Sequence, residues 1–233
     1  MATTETPLPI TGVVEQHDES GLLTSRTEVQ DGVPHGQLTA FAPTGKPSMQ
    51  AHYQRGVLHG LSRGFDDEGN LVQEATWAAG QQSGLTRLYA GGRLLSEQMF
   101  AKGQPHGETV FYSEAGVATC KMHFRAGQVE GEALFFHEGE LVRRAHYRKN
   151  LLEGEAIDYD RDGLKVQSAT YKANLLDGWL RRYWPNGQVM EETQYRLGKP
   201  QGRPRKFTAK GAAASDEAGQ ASVMQRLEKL VRG

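Results

Sequence analysis

The sequence predicts an all-β fold: an elongated antiparallel β-meander of about eight tandem β-hairpin repeats of 23–24 residues, with a short C-terminal helix. Three observations predict it. Glycine recurs at a fixed spacing, an aromatic residue follows each of these glycines, and a second glycine and a second aromatic complete the unit. Glycine accounts for 28 of 233 residues, about 12% against a usual value of about 7%.

The repeat is defined first by eight glycines that lie 23 or 24 residues apart. These are Gly36, Gly60, Gly84, Gly107, Gly131, Gly154, Gly178 and Gly202. Five positions after each comes an aromatic residue: Phe41, Phe65, Tyr89, Tyr112, Phe136, Tyr159, Tyr183 and Phe207. A period in this range indicates stacked supersecondary units, each of which needs its neighbours for stability.

Each unit reads as strand, turn, strand, as in VPHGQLTAFAPTGKPSMQAHYQRG at 33–56. The glycine that follows the first aromatic supplies the positive φ of a tight hairpin. The two 23-residue units lose their residue in this stretch, between Tyr89 and Gly92 and between Phe136 and Gly139. Variation confined to one short stretch is typical of a loop.

A second turn joins consecutive hairpins. Its last position is glycine in most units and asparagine at Asn150 and Asn174. Because asparagine is the residue that best tolerates a left-handed backbone after glycine, this position is predicted to have positive φ.

The ends of the chain differ from its middle. Residues 1–20 contain four acids and no Lys or Arg, which predicts a loosely ordered leader that adds an edge strand late. Residues 21–211 form the predicted repeat domain. Residues 212–233 are predicted to be a linker and an amphipathic helix, with Val223, Met224, Leu227, Leu230 and Val231 on one face.

Composition excludes several classes of function. The sequence contains no run of about 18 apolar residues, so no membrane span is predicted. Its net charge of -1 does not predict binding to nucleic acid. The first residues lack the pattern of a secretion signal, so we expect a cytoplasmic protein. A single cysteine is consistent with that compartment.

The hairpin pattern resembles a known family. The glycines and aromatics of LHGLSRGFDDEGNLVQEATWAAG, residues 58–80, are similar to those of the MORN-variant repeat, and the resemblance extends over roughly residues 21–211. Many bacterial proteins built only of this repeat resemble antitoxins or immunity proteins. The resemblance therefore implies that this chain binds a toxin.

Strand alternation gives a candidate partner site. The residue four after each first glycine faces away from the aromatic that follows it, and it is apolar in three central units, at Leu88, Phe111 and Phe135. The residue before the second aromatic is predicted on the same face, and these residues are Met99, His123 and His146. Two interpretations are open: a partner binds this strip, or the C-terminal helix or a second core covers it.

A second candidate lies in the segment RRYWPNG. Arg182 and Trp184, with the nearby Arg181 and Trp179, are of the residue types that dominate binding hot spots. Half of this cluster is expected to belong to the repeat core.

No catalytic or metal-binding constellation is predicted. His35, His59 and His106 recur at one repeat position, but equivalent positions in adjacent hairpins lie about 9.5 Å apart, so these residues are interpreted as polar turn residues. Cys120 is expected to be a buried, inert thiol. We expect no enzyme activity and no cofactor.

The predicted function is that of an interaction protein. A cytoplasmic immunity protein would cover the active site of a cognate toxin, such as a nuclease, encoded by an adjacent gene; neither nucleic acid nor membrane is an expected partner. The alternative is a MORN-like scaffold that binds lipid head groups or organises another protein assembly. A sugar-binding or choline-binding wall array is a third possibility, which would require export and more tryptophans than the three present.

Overall fold

The computed structural model describes residues 10–214, which form nineteen strands and no helix. The chain divides into two compact units, Met1–Gly139 and Glu140–Gly233. The all-β hairpin fold is therefore confirmed. The predicted C-terminal helix lies outside the described residues.

Unit 1 contains eleven strands. They are β1 (Gly12–His17), β2 (Leu23–Gln30), β3 (Val33–Phe41), β4 (Pro47–Gln54), β5 (Val57–Phe65), β6 (Leu71–Ala78), β7 (Gln81–Ala90), β8 (Arg93–Ala101), β9 (Gln104–Tyr112), β10 (Ala118–Arg125) and β11 (Gln128–His137). Each pairs antiparallel with the next along the chain, so unit 1 is a meander. Strand β1 lies inside the segment expected to be a leader.

Unit 2 contains eight strands in the described part of the chain. They are β12 (Glu140–Arg148), β13 (Leu151–Leu152), β14 (Gly154–Tyr159), β15 (Lys165–Lys172), β16 (Leu175–Tyr183), β17 (Val189–Arg196), β18 (Lys199–Pro200) and β19 (Arg205–Lys206). Again every pairing within the unit is antiparallel and joins neighbours in the hairpin order.

The turns between hairpins have the predicted conformation. Asn150 and Asn174 have φ of 67° and 68°, and Gly80 at the equivalent position has φ of 76°. The residue before each is also left-handed, as at Ala79 (φ 49°), so the pair forms a type I′ turn. The positive φ predicted from asparagine is confirmed.

The turns within hairpins explain the two shorter units. In a 24-residue unit, Gly45 donates its N–H to the Ala42 carbonyl at 2.8 Å and closes a wider loop. In the 23-residue unit, Gly91 and Gly92 have φ of 54° and 74°, which is a two-residue type I′ turn. Losing one residue thus changes the turn type and preserves the strands.

Six of the eight first glycines lie inside strands, at β-bulges: Gly36, Gly60, Gly84, Gly107, Gly131 and Gly178. Gly178 has φ of 135°, and a Cβ placed there would stand 2.7 Å from Cβ of Thr170. The pairing of β15 with β16 slips at this point, between Ala169 and Tyr171. Only glycine combines this backbone conformation with so close a neighbour, which explains the period of the sequence.

The core of each unit is a row of small side chains that crosses the strands. We call it the small-residue row; in unit 1 it comprises Leu38, Ala51, Ser62, Ala75, Thr86, Gln98, Thr109, Met122 and Ala133. Ala75 and Ala133 are fully buried. The Trp77 indole N–H donates to Ser62 Oγ at 2.8 Å, which places that ring over the row. Small residues beside large rings thus make a core within one sheet.

Candidate functional site

Three of the predicted partner-binding residues form one line across unit 1. Leu88 is paired with Ser96, Ser96 with Phe111, Phe111 with Cys120 and Cys120 with Phe135. We call these five residues the apolar row. Directly paired residues in an antiparallel sheet project to the same face, so the predicted common position of Leu88, Phe111 and Phe135 is seen in the structure.

Large and small side chains alternate along the apolar row. Leu88 and Phe111 are 42% and 38% exposed, whereas Ser96 between them is 7% exposed. Cys120, between Phe111 and Phe135, is half-buried, and this burial raises the pKa of its thiol. The alternation produces a ridged apolar surface from which the large side chains project.

Met99 and His123 lie on the opposite face, so their predicted place in the same strip is wrong. Met99 is three residues after Ser96 in a strand that pairs without slippage from Ser96 to Met99, which puts it on the other side of the sheet. His123 is likewise three residues after Cys120. The two sets of side chains form separate surfaces.

The cause is that the two aromatics of a unit face opposite ways. Trp77, a second aromatic, bonds Ser62 in the small-residue row. Tyr112, a first aromatic, donates its hydroxyl to Glu97 Oε2 at 2.8 Å, and Glu97 is paired with Val110 on the other face. The prediction for Met99 and His123 holds only if both aromatics of a unit share one face, and because they do not, the orientation assigned to these two residues is reversed.

The face of Tyr112 carries a charged line that the sequence analysis missed. We call it the ion-pair ladder; it comprises Arg63, Glu74, Arg87 and Glu97, on four successive strands. The N–O distances between neighbours are 3.0, 3.4 and 2.8 Å. Hydrogen bonds from Arg87 and then Tyr112 lower the pKa of Glu97. In the sequence, the charge at this position changes sign from one strand to the next, and this alternation could have predicted the ladder.

Arg182 and His146 are the predicted residues of β16 and β12 in unit 2, and Arg182 lies in a charged setting. Arg182 is paired with Gln167 and Glu191, and its guanidinium is 3.8 Å from the Glu191 carboxylate. The repeat position that is apolar in β7, β9 and β11 of unit 1 is thus charged at Arg182. His146 is exposed in β12, three residues after Arg143, which is paired with Asp158 at the repeat position of Leu88; its predicted place on that face is therefore wrong as well.

Trp184 has a structural role in a hairpin turn. Its indole N–H donates to the Phe207 carbonyl at 3.1 Å, and its backbone N–H donates to the Gln188 carbonyl at 2.8 Å. The side chain is half-buried. Trp184 therefore belongs to the repeat core, whereas Trp179 contacts two arginines.

The described residues contain no group of three or more His, Cys, Asp or Glu side chains that could hold a metal ion. His35, His59 and His106 each occupy the predicted repeat position in a strand of unit 1. No helix in residues 10–214 could span a membrane.

Comparison with known proteins supports the repeat architecture. Residues 58–79 and 176–196 match the MORN repeat variant family, one segment in each unit. No curated protein matches the chain.

Similarities to solved structures are weak. A mutant of S. aureus TarM, in complex with fondaparinux, α-GlcNAc-glycerol and UDP, is 13% identical at a TM-score of 0.23, over 50% of this chain and 20% of TarM. The TcdB2-TccC3-TEV structure is 14% identical at a TM-score of 0.19, over 85% of this chain and 12% of that one. The chain thus spans a fifth or less of either structure, and at these scores the likeness carries no conclusion about function.

Proposed function

We propose that this chain is an immunity protein, or antitoxin, that binds a cognate bacterial toxin and covers its active site. The toxin acts in the cytoplasm, where a nuclease is one candidate, and is encoded by an adjacent gene. The observation that carries the proposal is the apolar row, in which Leu88 and Phe111 remain about two-fifths exposed. Apolar residues grouped at the centre of a surface are typical of protein interfaces.

The length and the apolar character of the row indicate which kind of partner fits it. From β7 to β11 the row crosses four strand spacings of about 4.8 Å, or about 19 Å in all. A protein loop or helix with aliphatic and aromatic side chains fits this length. Small polar ligands do not, because the row offers them few hydrogen-bond donors or acceptors.

The ion-pair ladder supports the choice of face. Its arginines and glutamates are already paired with each other, with Arg87 between Glu74 and Glu97. A partner on that face would have to displace these contacts or leave charges buried. The opposite face, which carries the apolar row, has no such cost.

The experiment is co-expression with the product of the adjacent gene. We expect the full chain to co-purify with that product and to restore growth of cells that express it. An unrelated β-repeat protein is the control. Failure both to bind and to restore growth would remove this function.

The match to the MORN repeat variant favours one alternative, a scaffold that binds lipid head groups or organises another protein assembly. Sedimentation with anionic liposomes at two salt concentrations distinguishes them. Salt-sensitive binding to liposomes, without any effect on a toxin, would favour the scaffold.

A further inference from the structure

The last repeat of unit 2 presents a strongly basic surface that is separate from the apolar row. Residues 196–214 contain six basic residues and no Asp or Glu: Arg196, Lys199, Arg203, Arg205, Lys206 and Lys210. All six are exposed. We call this segment the basic edge. Its strands β18 and β19 are the last ones of unit 2 in the described residues, and each pairs with β17 along only two residues.

Trp179, in β16, contacts Arg205 of the basic edge and Arg181 of its own strand. The Cζ atoms of Arg181 and Arg205 lie 5.2 and 5.0 Å from its ring, which is cation–π distance. Both guanidinium groups also bond Glu192, at 3.0 Å from Arg181 and 2.5 Å from Arg205. One carboxylate shared by two arginines leaves a net positive charge.

An open recess lies beside this cluster. Its volume is about 360 Å³, and it is lined by Trp179, Gln194, Gln201, Gly202, Arg203, Arg205 and one acid, Glu192, whose carboxylate Arg181 and Arg205 already bond. Residues 201–204, between β18 and β19, lie outside any strand. The recess therefore combines guanidinium forks, side-chain amides and backbone outside the ladder, which are the groups that bind an extended peptide with carboxylate side chains.

We infer that the basic edge is a docking surface for an acidic polypeptide segment, whose Asp or Glu carboxylates are bound by Arg203 and Arg205. Charge complementarity supports this: six cations lie along 19 residues, and they outnumber Glu191 and Glu192, the two acids paired with β19. Single-stranded nucleic acid gains affinity where its bases stack on an aromatic ring, and the Trp179 ring is already contacted by two guanidinium groups. This inference is independent of the proposed function.

The test measures binding of the full chain to a labelled hexapeptide of alternating Asp and Glu, with its Asn and Gln counterpart as the neutral probe. At low salt we expect the acidic peptide to bind at least about tenfold more tightly, and to weaken about fivefold or more as salt rises. Replacing both residues, Arg203→Gln with Arg205→Gln, should weaken binding about tenfold. The control, Arg93→Gln with Arg125→Gln in unit 1, removes equal charge and should change it less than about twofold.

The single variant Arg203→Gln separates a loss of binding from a loss of stability. The double variant could be less stable, because Arg205 also bonds Glu192. The single variant should weaken binding by about threefold or more, with an unchanged thermal midpoint. Equal affinity for the neutral peptide, or an equal loss in the control, would overturn the inference. Tighter binding of a six-nucleotide DNA strand, or of phosphatidylserine vesicles, would also overturn it.

Discussion

Phe111 and Tyr112 are neighbours in β9, yet they belong to opposite surfaces of unit 1. Phe111 is paired with Ser96 and Cys120 in the apolar row, whereas the Tyr112 hydroxyl donates a 2.8 Å hydrogen bond to Glu97 in the ion-pair ladder. The apolar row on one face is thus partly exposed, whereas the ion-pair ladder on the other face is charged and internally paired. The assignment of function to the first face follows from this difference.

The bulge glycines are predicted to be the positions least tolerant of substitution. Gly178→Ala should destabilise the protein by about 2 kcal/mol or more, because it combines strained φ with a contact to Thr170. The control is Gly64→Ala, where the new Cβ meets its nearest neighbour at 3.8 Å without positive φ; stability there should be unchanged or slightly higher. Denaturant unfolding measures both, and equal losses would argue against the bulge.

The type I′ turns offer a stabilising substitution. Ala79 has φ of 49° before Gly80, and Asn-Gly is the preferred pair for this turn. Ala79→Asn should raise the free energy of unfolding by about 0.5–1 kcal/mol, or the thermal midpoint by about 2–4 °C. Ala78→Asn, one residue earlier at the end of β6, should bring no gain. Equal effects of the two changes would contradict the turn assignment.

Thr109 is predicted to be stabilised by losing its hydroxyl. It is 1% exposed in the small-residue row, and its Oγ1 has no hydrogen-bond partner among the described residues. Thr109→Val keeps the shape and removes a buried unsatisfied group, so stability should rise by about 1 kcal/mol. Thr109→Ser, which keeps the hydroxyl and loses a methyl group, should lower it. Calorimetry compares them, and a loss with valine would show that the hydroxyl is satisfied.

Glu97 should make stability depend on pH. Its pKa in the folded protein is below the ordinary value of 4.5, because Arg87 and Tyr112 bond the carboxylate. Its contribution is therefore fully present above about pH 4.5 and is lost as pH falls through the lowered pKa. Glu97→Gln should be less stable than the wild type at pH 7 by about 0.5–1 kcal/mol, and the difference should shrink at pH 3.

Denaturant midpoints at pH 7, 4.5 and 3 measure this difference. Glu114→Gln, in an exposed turn, is the control and should match the wild type throughout. If Glu97→Gln remained less stable than the wild type by the same amount at pH 3, the substitution would act through packing and not through the charge of Glu97.

The sequence was sufficient for the repeat and for its turns, because each depends on backbone conformations that only glycine or asparagine adopts readily. It also predicted the apolar row, since Leu88, Phe111 and Phe135 share one repeat position. The sequence did not predict correctly which side chains share a face of the sheet. Alternation gives the relation between neighbours within a strand, but not the relation between the two strands of a hairpin, whose pairing shifts next to the first aromatic, as between Leu88 and Tyr89. Met99 and His123 were therefore assigned to the wrong face.

The most direct test compares Phe111→Asp with Met99→Asp in binding of the adjacent-gene product by calorimetry. The two side chains are 38% and 39% exposed and lie on opposite faces, so each variant adds one charge at a matched position. We predict a loss of about 100-fold or more in affinity for Phe111→Asp and less than about threefold for Met99→Asp. Equal losses, or a larger loss for Met99→Asp, would contradict recognition through the apolar row.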